Sequence, residues 1–561
     1  MRTISRTAFT TVKTEGGILP ADLLQRVADG HDLQGLQPED YHLLPNERLN
    51  EAVTRAWNRC LSAWTSFNQQ REELPASDRG TTLTRERWLL VLFQELGYGR
   101  LPFVGSLSVN GAAYPISHEW GRAPINLVTF RQDLDRRGLA RGAATRSPHS
   151  LLQEFLNRSD DHLWGFLSNG LGLRVLRDNV SLTRAAYVEF DLEAMMVGQH
   201  YADFALLWLL CHQSRVEGDV PEECWLERWS QAAEQQGVRV LDHLRNGVQE
   251  AIAALGSGFL AHRANAALRQ RLQSGELSRG DYYRQVLRLV YRLIFLFVAE
   301  DRDLLLLPGT PGEVQRRYGD HYSVGRLRTL SETRRGGPHV DLYRTMLLLF
   351  ELLREGYEPL GLPGLGSFLF SDHSTPDLDS GELANNELLD AIRALAFTVD
   401  GRVRRTVDYR NLGSEELGSV YESLLELHPQ LNVDAATFAL EVAAGSERKT
   451  TGSYYTPSPL IRSLLDSALE PATEDVLRQA GQDPAAREAA LLDIKVMDPA
   501  CGSGHFLIAA AHRLARHLAR ERTGDEEPAP AQLRKALRDV VSACIHGVDI
   551  NPMAVELCKV A

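Results

Sequence analysis

The sequence predicts a chain of α/β and α class in three regions: a mixed α/β N-terminal region, a helical middle, and the opening units of a parallel α/β domain. Three observations carry this reading. Short apolar runs separated by glycine-containing turns fill residues 80–200. Apolar residues then recur at helical spacing through 203–350. Finally, an apolar strand at 494–497 runs through a glycine turn into an apolar helix.

The elements follow in chain order. Residues 1–80 read as mostly helical, with a helix over 46–69. Residues 85–96 form an amphipathic helix that Gly97 and Gly99 end. Asn110-Gly111, inside SLSVNGAAYPISH, predicts a tight hairpin because Asn-Gly readily adopts two successive positive φ values. A strand over 125–130 leads into a basic loop, 131–150, and 163–176 with 186–192 read as successive strands. The clearest helix is 281–306, whose broad apolar face predicts burial. Residues 361–386 are rich in Gly, Pro, Ser and Asp and read as a linker or long surface loop. A further helix is predicted over 414–427, and 521–531 is a polar connector between two helices.

Composition narrows the function classes. The 561 residues carry 61 Lys+Arg against 74 Asp+Glu, a net charge of −13. That excludes a chain whose whole surface binds nucleic acid, while leaving room for a local basic groove. The six cysteines form no C-x-x-C pair, which predicts reduced thiols and neither a disulfide framework nor a zinc site. The N-terminal segment has no continuous apolar core, and Arg288 and Arg292 interrupt the most apolar stretch, 286–298. A soluble, cytoplasmic protein without membrane segments is expected.

The stretch that carries chemistry is DIKVMDPACGSGHFLIAA, 493–510. Gly502 and Gly504 let the backbone approach a ligand closely, and Asp498 ends the strand with a carboxylate for a cationic or hydroxyl-bearing group. No Lys-Ser/Thr pair follows the glycines, so the loop is not a Walker phosphate loop. The string DPACGSG resembles motif I of the amino-directed DNA methyltransferases, which bind S-adenosylmethionine. The resemblance implies that Asp498, Ala500, Gly502 and Gly504 line the cofactor site, and that the aspartate contacts the cofactor's amino group. Phe506 is weighed evenly between packing beneath the cofactor and packing in the core.

Two more segments match the same family in the same order. TGSYYTP, 451–457, resembles motif X, which implies cofactor contacts from Tyr454, Tyr455, Thr456 and Pro457. IHGVDINP, 545–552, reads as a short second strand ending in Asp549, where a carboxylate accepts hydrogen bonds from both ribose hydroxyls. Together they imply a Rossmann-like, S-adenosylmethionine-dependent methyltransferase domain. The family transfers methyl to an exocyclic adenine nitrogen through an Asn-Pro-Pro-Tyr/Phe loop, and this chain contains no Asn-Pro-Pro. Asn551-Pro552-Met553 follows the second strand and reads as a helix start. The expectation is a truncated methyltransferase fold holding most of a cofactor pocket and no catalytic residue.

Upstream, YRLIFLFVAEDRDLLL (291–306) and LGSVYESLLEL (417–427) resemble the helical connector of large N6-adenine methyltransferases. Type IIG restriction-modification enzymes and the methylases of BREX and DISARM phage-defence systems are the examples. LWGFLSNGLGLRVLRDN (163–179) with AYVEFDLEAM (186–195) resembles the nuclease-like region ahead of that connector. The implied division is 1–200 degenerate nuclease-like, 201–427 helical connector, and 428–561 partial methyltransferase.

A restriction-type metal site needs an Asp and a Glu-x-Lys on adjacent strands, the lysine helping to activate water. The five lysines stand at 13, 449, 495, 535 and 559. The gap between Lys13 and Lys449 therefore predicts a degenerate nuclease fold without a metal. Asp178, Glu189, Asp191 and Glu193 read as a solvated strand face, and His118-Glu119 as structural. Arg131, Arg136, Arg137, Arg141 and Arg146 suit a loop that tracks DNA phosphates, but a solvated loop is favoured by about two to one.

Three function classes remain. The first is an N6-adenine DNA methyltransferase component acting on double-stranded DNA with other phage-defence proteins. The others are a non-catalytic DNA-binding or assembly subunit and a bifunctional restriction endonuclease-methyltransferase.

Overall fold

The computed structural model describes residues 9–15, 18–30, 33–44, 46–137, 146–178, 186–400, 403–409, 427–442, 456, 458–550, 554–555 and 558–559. The N-terminal part opens with strand β1 (Val12–Glu15), an element missed by the mostly helical reading of this stretch. Helix Leu49–Glu73 follows, and it buries Val53, Trp57, Cys60, Trp64 and Phe67 on one stripe at helical spacing. The helix expected at 85–96 spans 83–98, with wide turns at both ends, and Gly97 at φ 89° breaks it. The Asn-Gly hairpin forms as expected. It joins β2 (Leu107–Val109) to β3 (Ala112–Tyr114) through Asn110 at φ 51° and Gly111 at φ 78°.

Five further strands complete a six-stranded mixed sheet with β1: β4 (His118–Trp120), β5 (Ala123–Leu127), β6 (Trp164–Ser168), β7 (Gly172–Arg177) and β8 (Tyr187–Asp191) add to it in the order β1-β8-β7-β6-β5-β4. Only β5 and β6 pair parallel, and helix Pro148–Arg158 lies between them in sequence. Alternation along the strands sends side chains to two cores. One face carries Ile125, Phe166, Leu173, Val175, Val188 and Phe190 into an aromatic-rich core with Trp64, Trp88 and Phe93. The other carries Leu167, Leu176 and Tyr187 against Leu152, Phe155 and Leu156 of helix Pro148–Arg158.

The middle of the chain is helical, as expected. Its core gathers residues of Trp225–Ala261, Arg279–Asp301, Asp341–Glu355 and Asn385–Ala396. Hairpins β9 (Phe397–Asp400) with β10 (Val403–Thr406) and β11 (Leu427–Asn432) with β12 (Thr437–Val442) flank it. The helix expected over 414–427 lies outside the described residues, save that Leu427 opens β11.

Residues 361–386 correct the linker reading. Leu362, Leu369, Phe370, Leu378 and Leu383 are buried in the helical core. Arg292, 1% exposed within helix Arg279–Asp301, donates to the Leu369 carbonyl at 2.7 Å. Gln285 and Asp377 exchange two hydrogen bonds of 2.7 and 2.8 Å. Gly, Pro and Ser mark turns, but turns pack inside when buried side chains satisfy their backbone. No helix among the described residues is long and apolar enough to cross a membrane.

Helices Trp225–Ala261 and Asn385–Ala396 approach closely at Gly247, where an added Cβ would lie 2.2 Å from the Ala394 carbonyl oxygen. Gly247→Ala raises helix propensity by about 1 kcal/mol. The forced separation of the two helices outweighs that gain, with a cost of about 1–3 kcal/mol. A lower urea midpoint at unchanged slope is the expected result.

Candidate cofactor site

Helix Pro484–Asp493, capped by Asp483 accepting the Ala486 N–H at 3.2 Å, delivers the chain to strand β13 (Val496–Asp498). Helix His505–Thr523, a connector and helix Pro530–Cys544 then return it to β14 (Ile545–Gly547). The two strands pair parallel, with Asp498 opposite Gly547. Leu514, Leu518 and Ala519 of the first helix meet Ala536, Val540 and Cys544 of the second in one core, with Leu491. That core holds the strand ends in place.

The expected loop forms at those ends. The Val548 N–H donates to the Asp498 carbonyl at 2.9 Å, and the Cys501 N–H donates to the Val548 carbonyl at 3.0 Å. Asp498 Oδ1 accepts the Ala500 N–H at 3.0 Å, and Asp549 Oδ2 accepts the Gly502 N–H at 2.9 Å. Both carboxylates thus stand beside the glycine loop, at the carboxyl ends of adjacent parallel strands, where open α/β sheets bind ligands.

The two glycines differ. Gly502, at φ 53°, has nothing within 4 Å of the position a Cβ would take, so its free side opens onto space. Gly504, at φ 91°, is closed from behind, since a Cβ there would lie 2.7 Å from Cys558 Sγ. Cys501 is buried, and desolvation followed by the neighbouring Cys558 pushes its thiol up to about 12. It stands as a neutral thiol packed behind the loop. Phe506, half-buried, packs on the small cluster of Ile461, Leu465 and Ala510.

Of the motif X residues, Thr456 is described and half-buried, just ahead of helix Ser458–Leu464. Tyr454, Tyr455 and Pro457 lie outside the described residues. Ile461 of that helix reaches Ala510 of helix His505–Thr523, which brings this segment to the helix that follows the glycine loop.

The N-terminal acidic residues behave differently from a solvated face. Glu189 on β8 and Asp135 both pair with Arg174 of β7, whose Nη1 and Nη2 meet Asp135 at 2.5 and 2.9 Å. His149 accepts from the same guanidinium at 3.3 Å, and burial, then Arg174, push its imidazole down to about 3. Asp191 caps helix Leu192–Val197, and Glu193 pairs with Arg71 at 2.8 Å. The lysine argument needs correction here, because β1 pairs with β8 and sets Lys13 directly opposite Glu189. Sequence separation hid a neighbour that an edge strand supplies. Even so, the carboxylates are answered by Arg174, and no group of three or more His, Cys, Asp or Glu among the described residues could hold a metal.

His118 Nδ1 meets Ser117 Oγ at 2.8 Å and Glu119 pairs with His162 at 3.0 Å, a structural arrangement as expected. Among the described residues of the basic loop, Arg131, Arg136 and Arg137 are exposed, as a solvated loop requires, though several of its arginines also make contacts within the chain. Arg131 donates to the Pro75 carbonyl at 3.0 Å, Arg146 pairs with Glu154 at 3.1 Å and Arg137 with Asp525 at 3.1 Å, while Arg141 lies outside the described residues.

Gly504→Ala tests the loop directly. A Cβ at positive φ against Cys558 costs about 1–3 kcal/mol. A lower thermal midpoint, with β13 amides exchanging faster than those of β7, is the expected outcome.

Comparison with known proteins places this geometry. Residues 431–561 match the family model described as N-6 DNA Methylase. Over 86 residues the chain is 35% identical to the adenine-specific methyltransferase PglX of Streptomyces coelicolor, covering 15% of this chain and 6% of that protein. Over 321 residues it is 23% identical to a protein of Methanocaldococcus jannaschii named as a type II restriction enzyme and methyltransferase, covering 48% of this chain and 24% of that one. The chain thus spans a small part of the length of either relative. No solved structure matches. The resemblance first carried by DPACGSG therefore holds for the C-terminal segment, where residues 431–561 match the N-6 DNA Methylase family.

Proposed function

We propose that the chain is the N-terminal and cofactor-binding portion of a site-specific N6-adenine DNA methyltransferase of a restriction or phage-defence system. It acts on double-stranded DNA in the company of other proteins of that system. The division is 1–200 degenerate nuclease-like, 201–427 helical connector and 428–561 methyltransferase. The observation that carries the reading is the pair of carboxylates, Asp498 and Asp549, bracketing a glycine loop that opens at Gly502.

These residues suit S-adenosylmethionine, which when bound supplies a methyl group on a positively charged sulfur. Gly502 and Gly504 keep the loop free of side chains, so main-chain groups can meet the ligand. Asp498 answers its ammonium, Asp549 accepts from its ribose hydroxyls, and Ala500 adds a small apolar wall. By their resemblance to motif X, Tyr454, Tyr455, Thr456 and Pro457 would add further contacts to the same cofactor. The target adenine leaves the duplex to reach such a pocket. Positioning supplies most of the rate, as expected where a cofactor carries the reactive group.

A second reading is a non-catalytic DNA-binding or assembly subunit, in which the same glycine loop serves binding alone. The bifunctional endonuclease-methyltransferase draws on the name of the Methanocaldococcus relative and on Lys13 facing Glu189. The Arg174 ion pairs weigh against it.

Calorimetric titration with S-adenosylmethionine separates the site from these alternatives. Asp498→Ala is expected to abolish binding while the chain stays folded; unchanged affinity sinks the site assignment. In a second assay, tritiated methyl transfer to DNA by this chain alone should stay at background, and measurable transfer would overturn the claim that the catalytic loop is missing.

A further inference from the structure

Several contacts between the N-terminal α/β part and the methyltransferase part converge on residues 524–534. Arg137 Nε donates to Asp525 Oδ1 at 3.1 Å, and the Asp525 side chain is only 5% exposed. The Ser147 backbone donates to the same carboxylate. Two residues on, the Glu527 N–H donates to Ser150 Oγ at 3.3 Å. Arg534 of helix Pro530–Cys544 reaches Glu15 on β1 at 3.5 Å.

Gly524 makes the approach possible. It closes helix His505–Thr523 at φ 70°, and an added Cβ would lie 2.3 Å from Arg137 Nη2. The guanidinium occupies space that exists because the helix ends on a glycine. The same helix begins at Gly504, in the glycine loop.

We propose that Arg137, Ser147 and Ser150 form an intramolecular docking joint for the 524–527 connector, by which the N-terminal α/β part holds the far end of the helix that starts at the glycine loop. The inference stands on these contacts and is independent of the methyltransferase reading. It gives the arginine loop a protein partner within its own chain in place of DNA phosphates. An ion pair with one buried partner, here Asp525, gains little net stability once desolvation is counted, but it fixes one geometry, and removing the arginine leaves the buried carboxylate unanswered.

The test is hydrogen exchange of the full-length chain, following peptides over 519–530 and 146–152, with 164–177 as a folding control. Arg137→Ala and Asp525→Ala should each speed connector exchange by about tenfold, equivalent to about 1.4 kcal/mol. The double variant should go no faster than the faster single one, because coupled partners are not additive. Ser150→Ala should speed exchange at the Glu527 amide and leave 164–177 protected. Connector exchange unchanged in the single variants, or effects that simply add in the double, would overturn the joint. Should Asp525→Ala lose protection over 164–177 as well, Ser150→Ala decides alone, and an unchanged Glu527 amide refutes the proposal.

Discussion

Parallel pairing of β13 with β14 is the constraint on which the candidate site depends. Two short strands place the Asp498 and Asp549 ends side by side, and the backbone exchange between Asp498, Val548 and Cys501 ties the loop across them. Parallel strands need a long crossover, supplied here by helices His505–Thr523 and Pro530–Cys544 with their shared core. Loop geometry, carboxylate spacing and helix direction all follow from that one register. Met497 on β13 is 64% exposed, so this small sheet is held by its helices more than by its own faces.

Much of this was legible in the sequence because local chemistry decided it. Asn110-Gly111 admits the left-handed turn it forms, and Gly97 ends its helix for the same steric reason. DPACGSG is similarly local, since a strand end, a side-chain-free turn and a helix start sit within a dozen residues. Long-range pairing was not legible. β1 joins β8 across most of the N-terminal region, and nothing in TVKTE announces its partner. That pairing is what sets Lys13 opposite Glu189. Likewise the composition of 361–386 signalled turns, while the buried Arg292 and Gln285 that satisfy those turns lie elsewhere in the chain.

Arginine does much of the long-range work. Arg174 pairs with both Asp135 and Glu189, Arg292 satisfies carbonyls of a buried loop, and Arg137 spans the two α/β parts. Its planar, always-charged fork suits buried pairing in a way lysine does not. Among the described residues, Arg174, Arg215 and Arg292 are the only buried Lys or Arg side chains, so this interior work falls to a few arginines.

The central claim is that Asp498, the glycine loop and Asp549 form one cofactor pocket. Hydrogen exchange of the unsubstituted chain with and without S-adenosylmethionine tests it most directly. The account expects saturable slowing confined to amides of 498–506 and 545–550, together with the segment around Thr456. Slowing elsewhere, or none at saturating cofactor, would contradict it.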